Sequence, residues 1–480
     1  MLPTASRVLH RRYRASVLPP EQAEVHHVQP LGWQEDPQVE TWKLADLEYT
    51  VPPVFLRQML VFKTNKNDDP GKTTERLIKA LGITLSQCRT LTGVFEKEAG
   101  EVKIVRARGA TVPFVVQHDH SVSLQDLQSN GFPESIVGSH AHEDHEKASR
   151  AGISSITDGQ PLCKVQATWI PGGLVLTAGF HHYCTDGAGF WAFLRQWASN
   201  SSALKRNAEL PPWDPACLGR QRLNGRLVPP EERTDPPPEP ESAAPAVTAD
   251  HQCRLVVLHL HNANVGRLKA AASTPGQAVS AYDAVTALLW QAHTRARLSI
   301  YDPRPDEVTF LGQAVDLRPR FTPPLQPQLQ ANAMLGVLTP FIPVRDAVAG
   351  GSGLASLASL VRRAHMGATE DTARERAGAV AALRDKTLAA WKGGRAPRFG
   401  MAMSDWRRGG IYEADFGCGK PLAVRAMYQP GHPCTITDLP TGEEGGRAPG
   451  VEVQIPVEVA CLDRFVKDAE LLQYATVVSV

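Results

Sequence analysis

At 480 residues the chain is too long for one ordinary domain, and it has room for two or three with ample core. A hydrophobic fraction of 42% with 21% charged residues is that of a globular protein, and a formal net charge of +1 gives no global attraction to nucleic acid or to an anionic membrane. No apolar run approaches the ~18 residues of a membrane span, and the eight scattered cysteines include no C-x-x-C pair, the usage of reduced thiols in a cytoplasmic compartment.

The chain opens on "MLPTASRVLHRRYRAS", Arg-rich and free of acids until Glu21. That composition resembles a mitochondrial presequence; the reading adopted is a basic tail over residues 1–25. "TERLIKALGITLSQCR" places Leu77, Ala80, Leu81 and Leu85 at helical spacing. "CKVQATWI" and "GLVLTAGF" read as strands joined by the turn signal "PGG", and Phe190, Phe193, Leu194 and Trp197 then mark an amphipathic helix. "LVPPEERTDPPPEPESAAPAVTAD" is too poor in apolar residues to offset its ordering entropy and reads as an exposed crossover. Beyond it, "CRLVVLHL" and "DEVTFLGQAVDL" read as strands, and "SAYDAVTALLWQAHTRAR" and "SGLASLASLVRRAHM" as helices. The expected organisation is therefore mixed α/β in two lobes, residues 26–205 and 251–480, joined by a Pro-rich crossover over 206–250.

Chemistry concentrates in "GFHHYCTDGAGF". A strand, a sharp turn and a helix start put His182 at the strand end and Asp186 at the helix start, with Gly187 and Gly189 expected to adopt backbone angles that a β-carbon forbids. Strand alternation sends His181 and His182 to opposite faces, so one of them faces a given cleft. Taken alone, Asp186 is as well read as a helix N-cap.

A second stretch, "YEADFGCGKP", brackets Cys418 with Gly417 and Gly419 directly after Asp415 and Phe416. "HHYCTDG" followed in the second half by "DFGCG" resembles the BAHD-type acyltransferases, whose motifs are H-x-x-x-D-G and D-F-G-W-G, in the chloramphenicol acetyltransferase-like superfamily. "LADLEYTVPPVFLRQMLVF", "LSQCRTLTGVF", "PPWDPACLGR", "SAYDAVTALLWQAHTRAR" and "VDLRPR" are similar to other stretches of that family, and "SDWRRGGIYEADFGCGKP" most resembles its fungal, trichothecene acetyltransferase-like branch. The chain departs from the pattern at Cys418, where Trp is usual, and at Glu48, where the opening motif often has Asp.

The resemblance implies two α/β lobes with a tunnel between them, and transfer of an acyl group, expected to be acetyl, from acyl-CoA to a hydroxyl of a small secondary metabolite. His182 matches the catalytic histidine: a neutral imidazole takes the acceptor proton as the alcohol attacks the thioester, with no covalent enzyme intermediate. Asp186 matches a structural aspartate that turns away from the histidine to pair with an arginine, for which Arg318 is the first candidate and Arg320 the second. His181 then supports the turn at most. Asp415, Gly417 and Gly419 act structurally. Lys269 and Ser280 resemble positions that contact CoA; a solvated helix charge is the plainer reading of Lys269. The resemblance implies a small-molecule acceptor, a monomer and no metal.

Three rival readings remain open at this point. "SHAHEDHEKA" holds His140, His142, Asp144 and His145 in the H-x-H-x-D-H pattern of metallo-β-lactamase-like hydrolases; its flanks lack that fold's small-residue continuation, and it reads as a polar surface loop. "HHYCTDG" also matches the H-H-x-x-x-D-G of condensation domains, which lack the D-F-G-x-G signature and normally sit among carrier domains. The third is a non-catalytic ligand-binding homologue.

Overall fold

The computed structural model describes residues 23–65, 68–134, 159, 161–236, 253–349, 353–389, 398–427, 433–439 and 448–480. The first 22 residues of the basic tail, the stretch with His140, His142, Asp144 and His145, and residues 237–250 of the crossover lie outside the described residues.

The first mixed sheet has six strands in the order Glu24–Val28, Val112–His118, Cys163–Ile170, Gly173–His181, Phe55–Lys63 and Ala423–Ala426. Both "CKVQATWI" and "GLVLTAGF" are strands, antiparallel neighbours turned at Pro171 to Gly173. A helix at Pro70–Gln87 covers one face. Asp69 caps it by accepting from Gly71 N at 2.8 Å, and Leu77, Ala80, Leu81 and Leu85 form its buried stripe. It packs on the helix Gly187–Arg206, where the Trp197 indole donates to Leu77 O at 2.9 Å. The second mixed sheet has seven strands in the order Met334–Leu338, Leu311–Asp316, Met401–Asp405, Cys434–Asp438, Gly450–Glu458, Cys253–His261 and Thr476–Ser479. The helix Ala281–Arg297, opened by a Ser280 to Asp283 capping box, is buried along most of its length against it.

The structure alters three sequence expectations. "DEVTFLGQAVDL" is two strands, because Val308–Thr309 leaves the large sheet to pair with Ile342–Pro343. The stretch "LADLEYTVPPVFLRQMLVF", which the resemblance reads as the family's opening strand region, starts instead with a short 3-10 helix at Asp46–Thr50, closed by Glu48, whose side chain accepts from Ala45 N at 2.7 Å, and becomes a strand only at Phe55. The third concerns the lobes. The expected second half lends the strand Ala423–Ala426 to the first sheet, antiparallel to Phe55–Lys63. Arg425 and Glu452, both fully buried, form an ion pair from that strand to the second sheet, and Gln454 Oε1 accepts from Ala426 N at 2.8 Å. The two sheets are thus stitched to each other by one borrowed strand.

Candidate active site

The strand Gly173–His181 ends one residue before His182. The chain then turns: His182 N donates to Val54 O at 2.7 Å and Cys184 N to His181 O at 2.9 Å, and Asp186 starts the helix Gly187–Arg206. The two histidines part as alternation requires. His181 sits edge-on to Phe55 and Phe95 and its Nδ1 accepts from Tyr183 N at 3.1 Å. His182 instead meets Asn332, with 2.9 Å between His182 Nδ1 and Asn332 Oδ1.

Hydrogen-bond logic fixes the tautomer. Asn332 Nδ2 donates to His182 O at 2.6 Å, so the other end of the carboxamide, Oδ1, is an acceptor facing the ring. Nδ1 therefore carries the proton, and Nε2 holds the lone pair. His182 is 9% exposed, and burial lowers its pKa below the usual histidine value, with the Asp186 charge and the Asn332 contact opposing that shift. A ring that is neutral at pH 7, with its Nε2 unprotonated, can accept a proton.

Asp186 is both helix cap and ion-pair partner, so the two sequence readings of it are compatible. Its Oδ1 accepts from Gly189 N at 2.9 Å, and Arg318 grips it with two bonds of 2.8 and 2.9 Å. Arg318 is the partner and Arg320 is not: Arg320 turns to the carbonyls of His365 and Ala368. Asp186 Oδ2 also accepts from Ala333 N at 2.9 Å. The glycines work differently from the expectation. Neither Gly187 nor Gly189 has positive φ. A β-carbon on Gly189 would lie 2.7 Å from Leu329 O, so close backbone approach demands glycine there, whereas at Gly187 the nearest atom would be Trp406 Nε1 at an ordinary 3.5 Å.

The second motif lies away from His182. Asp415 Oδ1 accepts from Gly417 N at 2.7 Å and Gly419 N at 2.9 Å, in a loop where both glycines have positive φ, 84° and 89°. Phe416 is fully buried, edge-on to Trp197 and Phe62. Cys418, at the usual Trp position, lies 3.7 Å from an Arg76 nitrogen. Ser280 spends its hydroxyl on capping Asp283 N at 3.1 Å, and Lys269 is exposed at the end of the helix Asn262–Ala272.

Sequence reasoning missed Asn332, Arg220 and the position of Glu48. Asn332 lies on the irregular stretch before the strand Met334–Leu338, and Arg220 lies in the crossover, yet both are buried beside His182's turn. The early crossover is thus part of the protein interior, with Cys217 and Leu223 also buried. Among the described residues no group of three or more His, Cys, Asp or Glu is placed to hold a metal, and no helix is long and apolar enough to cross a membrane.

Two stitched α/β lobes, with a histidine on a strand-to-helix turn beside their junction, have the fold of the solved structures of TRI101 and vinorine synthase. A family model described as the Transferase family matches residues 33–472, and the chain belongs to this family, the BAHD acyltransferases, which act on acyl-CoA. Acetyltransferase FGR3 of Gibberella zeae is 31% identical over 425 residues, covering 84% of this chain and 83% of its own. BAHD acyltransferase DCR of Arabidopsis thaliana is 23% identical, covering 84% and 81%. The solved structure of F. graminearum TRI101 with coenzyme A and deoxynivalenol superposes with a TM-score of 0.74 at 18% identity, covering 92% of this chain and all of that one. The protein is an acyl-CoA-dependent O-acyltransferase.

Proposed function

We propose that this enzyme moves an acetyl group from acetyl-CoA to a hydroxyl of a small natural product, as a monomer, with His182 as general base. The observation that carries the reading is the Asn332 contact: it holds His182 with Nδ1 protonated and leaves Nε2 to accept a proton. The acceptor hydroxyl gives its proton to Nε2 as its oxygen attacks the thioester carbonyl. The new C–O bond replaces the C–S bond, and the departing thiolate takes the proton back to leave as CoA thiol. His182 needs no cofactor for this, because a thioester already has a good leaving group.

Acetyl as the acyl group is supported by the relative named an acetyltransferase, and a hydroxylated acceptor by O-acyltransferase pigD of Monascus ruber, 28% identical over 304 residues. The TRI101 structures hold CoA together with T-2 or deoxynivalenol, which supports a small-molecule acceptor. Lys269 and Ser280 are the residues we assign to CoA, on the resemblance: Lys269 is exposed and free to meet a phosphate, while Ser280 would have to exchange its capping box with Asp283 for the ligand. The test is a screen of hydroxylated natural products with acetyl-CoA, read by free thiol release and by the mass of the product. A product heavier by one acetyl group supports the reading; thiol release on amines alone overturns the hydroxyl assignment.

A further inference from the structure

The five residues 329–333 are held from every side. Gln330 N donates to Cys217 O at 2.6 Å. Arg318 donates to Leu329 O at 2.8 Å and to Ala331 O at 3.1 Å. Arg220 donates to Gln330 O at 2.6 Å. Two successive amides then go to two different carboxylates: Asn332 N donates to Glu48 Oε1 at 3.1 Å, and Ala333 N to Asp186 Oδ2 at 2.9 Å. Each carboxylate has its own arginine, Asp186 with Arg318 and Glu48 with Arg220, the latter pair at 3.4 Å. The segment is gripped by two buried ion pairs, and the residue between the grips that points at His182 is Asn332.

We propose that Glu48 is a positioning residue for the catalytic base, a proposal that rests on the reading of His182 as that base. Glu48 sets the place of the Asn332 amide, and the Asn332 carboxamide in turn holds the His182 ring in one tautomer and one orientation. The geometry requires a long side chain. Glu48 Oε2 is committed to Ala45 N at 2.7 Å within its own 3-10 turn, while Oε1 reaches a segment 284 residues further along the chain. Shortening the side chain by one methylene, ~1.5 Å, leaves it unable to serve both amides from the same backbone. The carboxylate is also out of reach of bulk solvent: Glu48 is wholly buried, and burial raises its pKa against the opposing charge of Arg220 and the two amides. Asp186 and Glu48 thereby divide the work on one strap, Asp186 holding it to the helix start and Glu48 holding it to the start of the fold.

The test uses full-length protein labelled with nitrogen-15 histidine. Long-range proton–nitrogen spectra report each ring's tautomer, and the His182 signals are those lost in His182→Gln. Wild type is expected to show the Nδ1–H form alone. Glu48→Asp keeps the charge and is expected to let in the Nε2–H form, to move the His182 titration midpoint, and to slow thiol release from acetyl-CoA with water as acceptor by ~10–100-fold while the KM for acetyl-CoA stays within about twofold. In the Asn332→Ala background Glu48→Asp should add less than about twofold, because the link it acts through is gone. Full additivity, or an unchanged tautomer beside a lowered Tm, overturns the proposal. Arg220→Lys, which removes the bridge from Glu48 to Gln330, repeats the comparison should Glu48→Asp not fold. A His182→Gln protein that releases thiol at the wild-type rate overturns the base assignment instead, so the two failures are distinguishable.

Discussion

The His182–Asp186 turn and the Asp415–Gly419 loop are the two stretches that stand out in the sequence, and they hold the fold by opposite means. Around Asp186 the work is done by charged and polar groups in a buried interior, where each bond lost leaves another group unsatisfied. Around Phe416 it is done by one ring between Trp197 and Phe62 and by two glycines that turn the chain; the polar contacts there, such as Ser201 Oγ to Phe416 O at 2.7 Å, serve to seat the ring. A polar site of the first kind fails all at once, and a packed plug of the second kind fails by degrees. The first suits chemistry that needs one geometry; the second suits a clamp on two helices.

The sharpest way to separate them is His182→Ala. Turnover should fall ~10²–10⁴-fold, the usual worth of a positioned general base, with a stability loss of about 1–3 kcal/mol from the unpartnered Asn332 carboxamide, while turnover in His181→Ala falls much less; equal losses of turnover in the two would reassign the base. Asp186→Ala should be costly in both respects. It takes one of two carboxylates from the buried Arg318, which keeps Asp316 Oδ1 at 2.9 Å, and leaves the amides of Gly189 and Ala333 without their acceptor, so unfolding in urea should show a loss of about 3 kcal/mol together with lost activity. An Asp186→Ala protein of wild-type stability would break the contrast drawn here.

Phe416→Ala tests the other side. A loss of about 3–5 kcal/mol is expected, with kcat per folded molecule kept; a selective drop in kcat would mean that the loop reaches the chemistry. Gly419→Ala, which forces a β-carbon onto a backbone with φ 89°, should cost about 1–2 kcal/mol and leave kinetics alone. The smallest effect is in pH dependence. Burial lowers the His182 pKa, and the neutral ring is the active form, so kcat/KM should be fully expressed at pH 7 and be lost only as pH falls through a midpoint below about 6.5. A midpoint above that value would contradict the buried, neutral ring.

His182, Asp186 and Arg318 were reached through the resemblance, because each lies in a short motif that a family repeats, H-x-x-x-D-G and the strand end "VDLRPR"; the local pattern by itself left Asp186 as a helix cap. The major strands and helices were legible from periodicity. Glu48, Arg220 and Asn332 were not, because what defines them is a meeting of three irregular segments, and no spacing in the chain encodes contacts made 110 to 284 residues apart. Glu48 showed only as a departure from a motif, and its length acquires meaning once Asn332 is placed opposite it. The misread glycines follow the same rule. Gly189 is required by Leu329, a residue no local window contains. The strand Ala423–Ala426 was invisible as a member of the first sheet for the same reason.

That borrowed strand bears on how the protein is made. Ribosomes deliver the chain from its N-terminus, at roughly 5–20 residues per second. The strand Phe55–Lys63 emerges early, but its outer neighbour is not synthesised until residues 423–426. For tens of seconds of synthesis the first sheet has an open edge of unpaired backbone groups, the kind of edge that recruits foreign strands. The nascent first lobe keeps that edge open until the last eighth of the chain has been made.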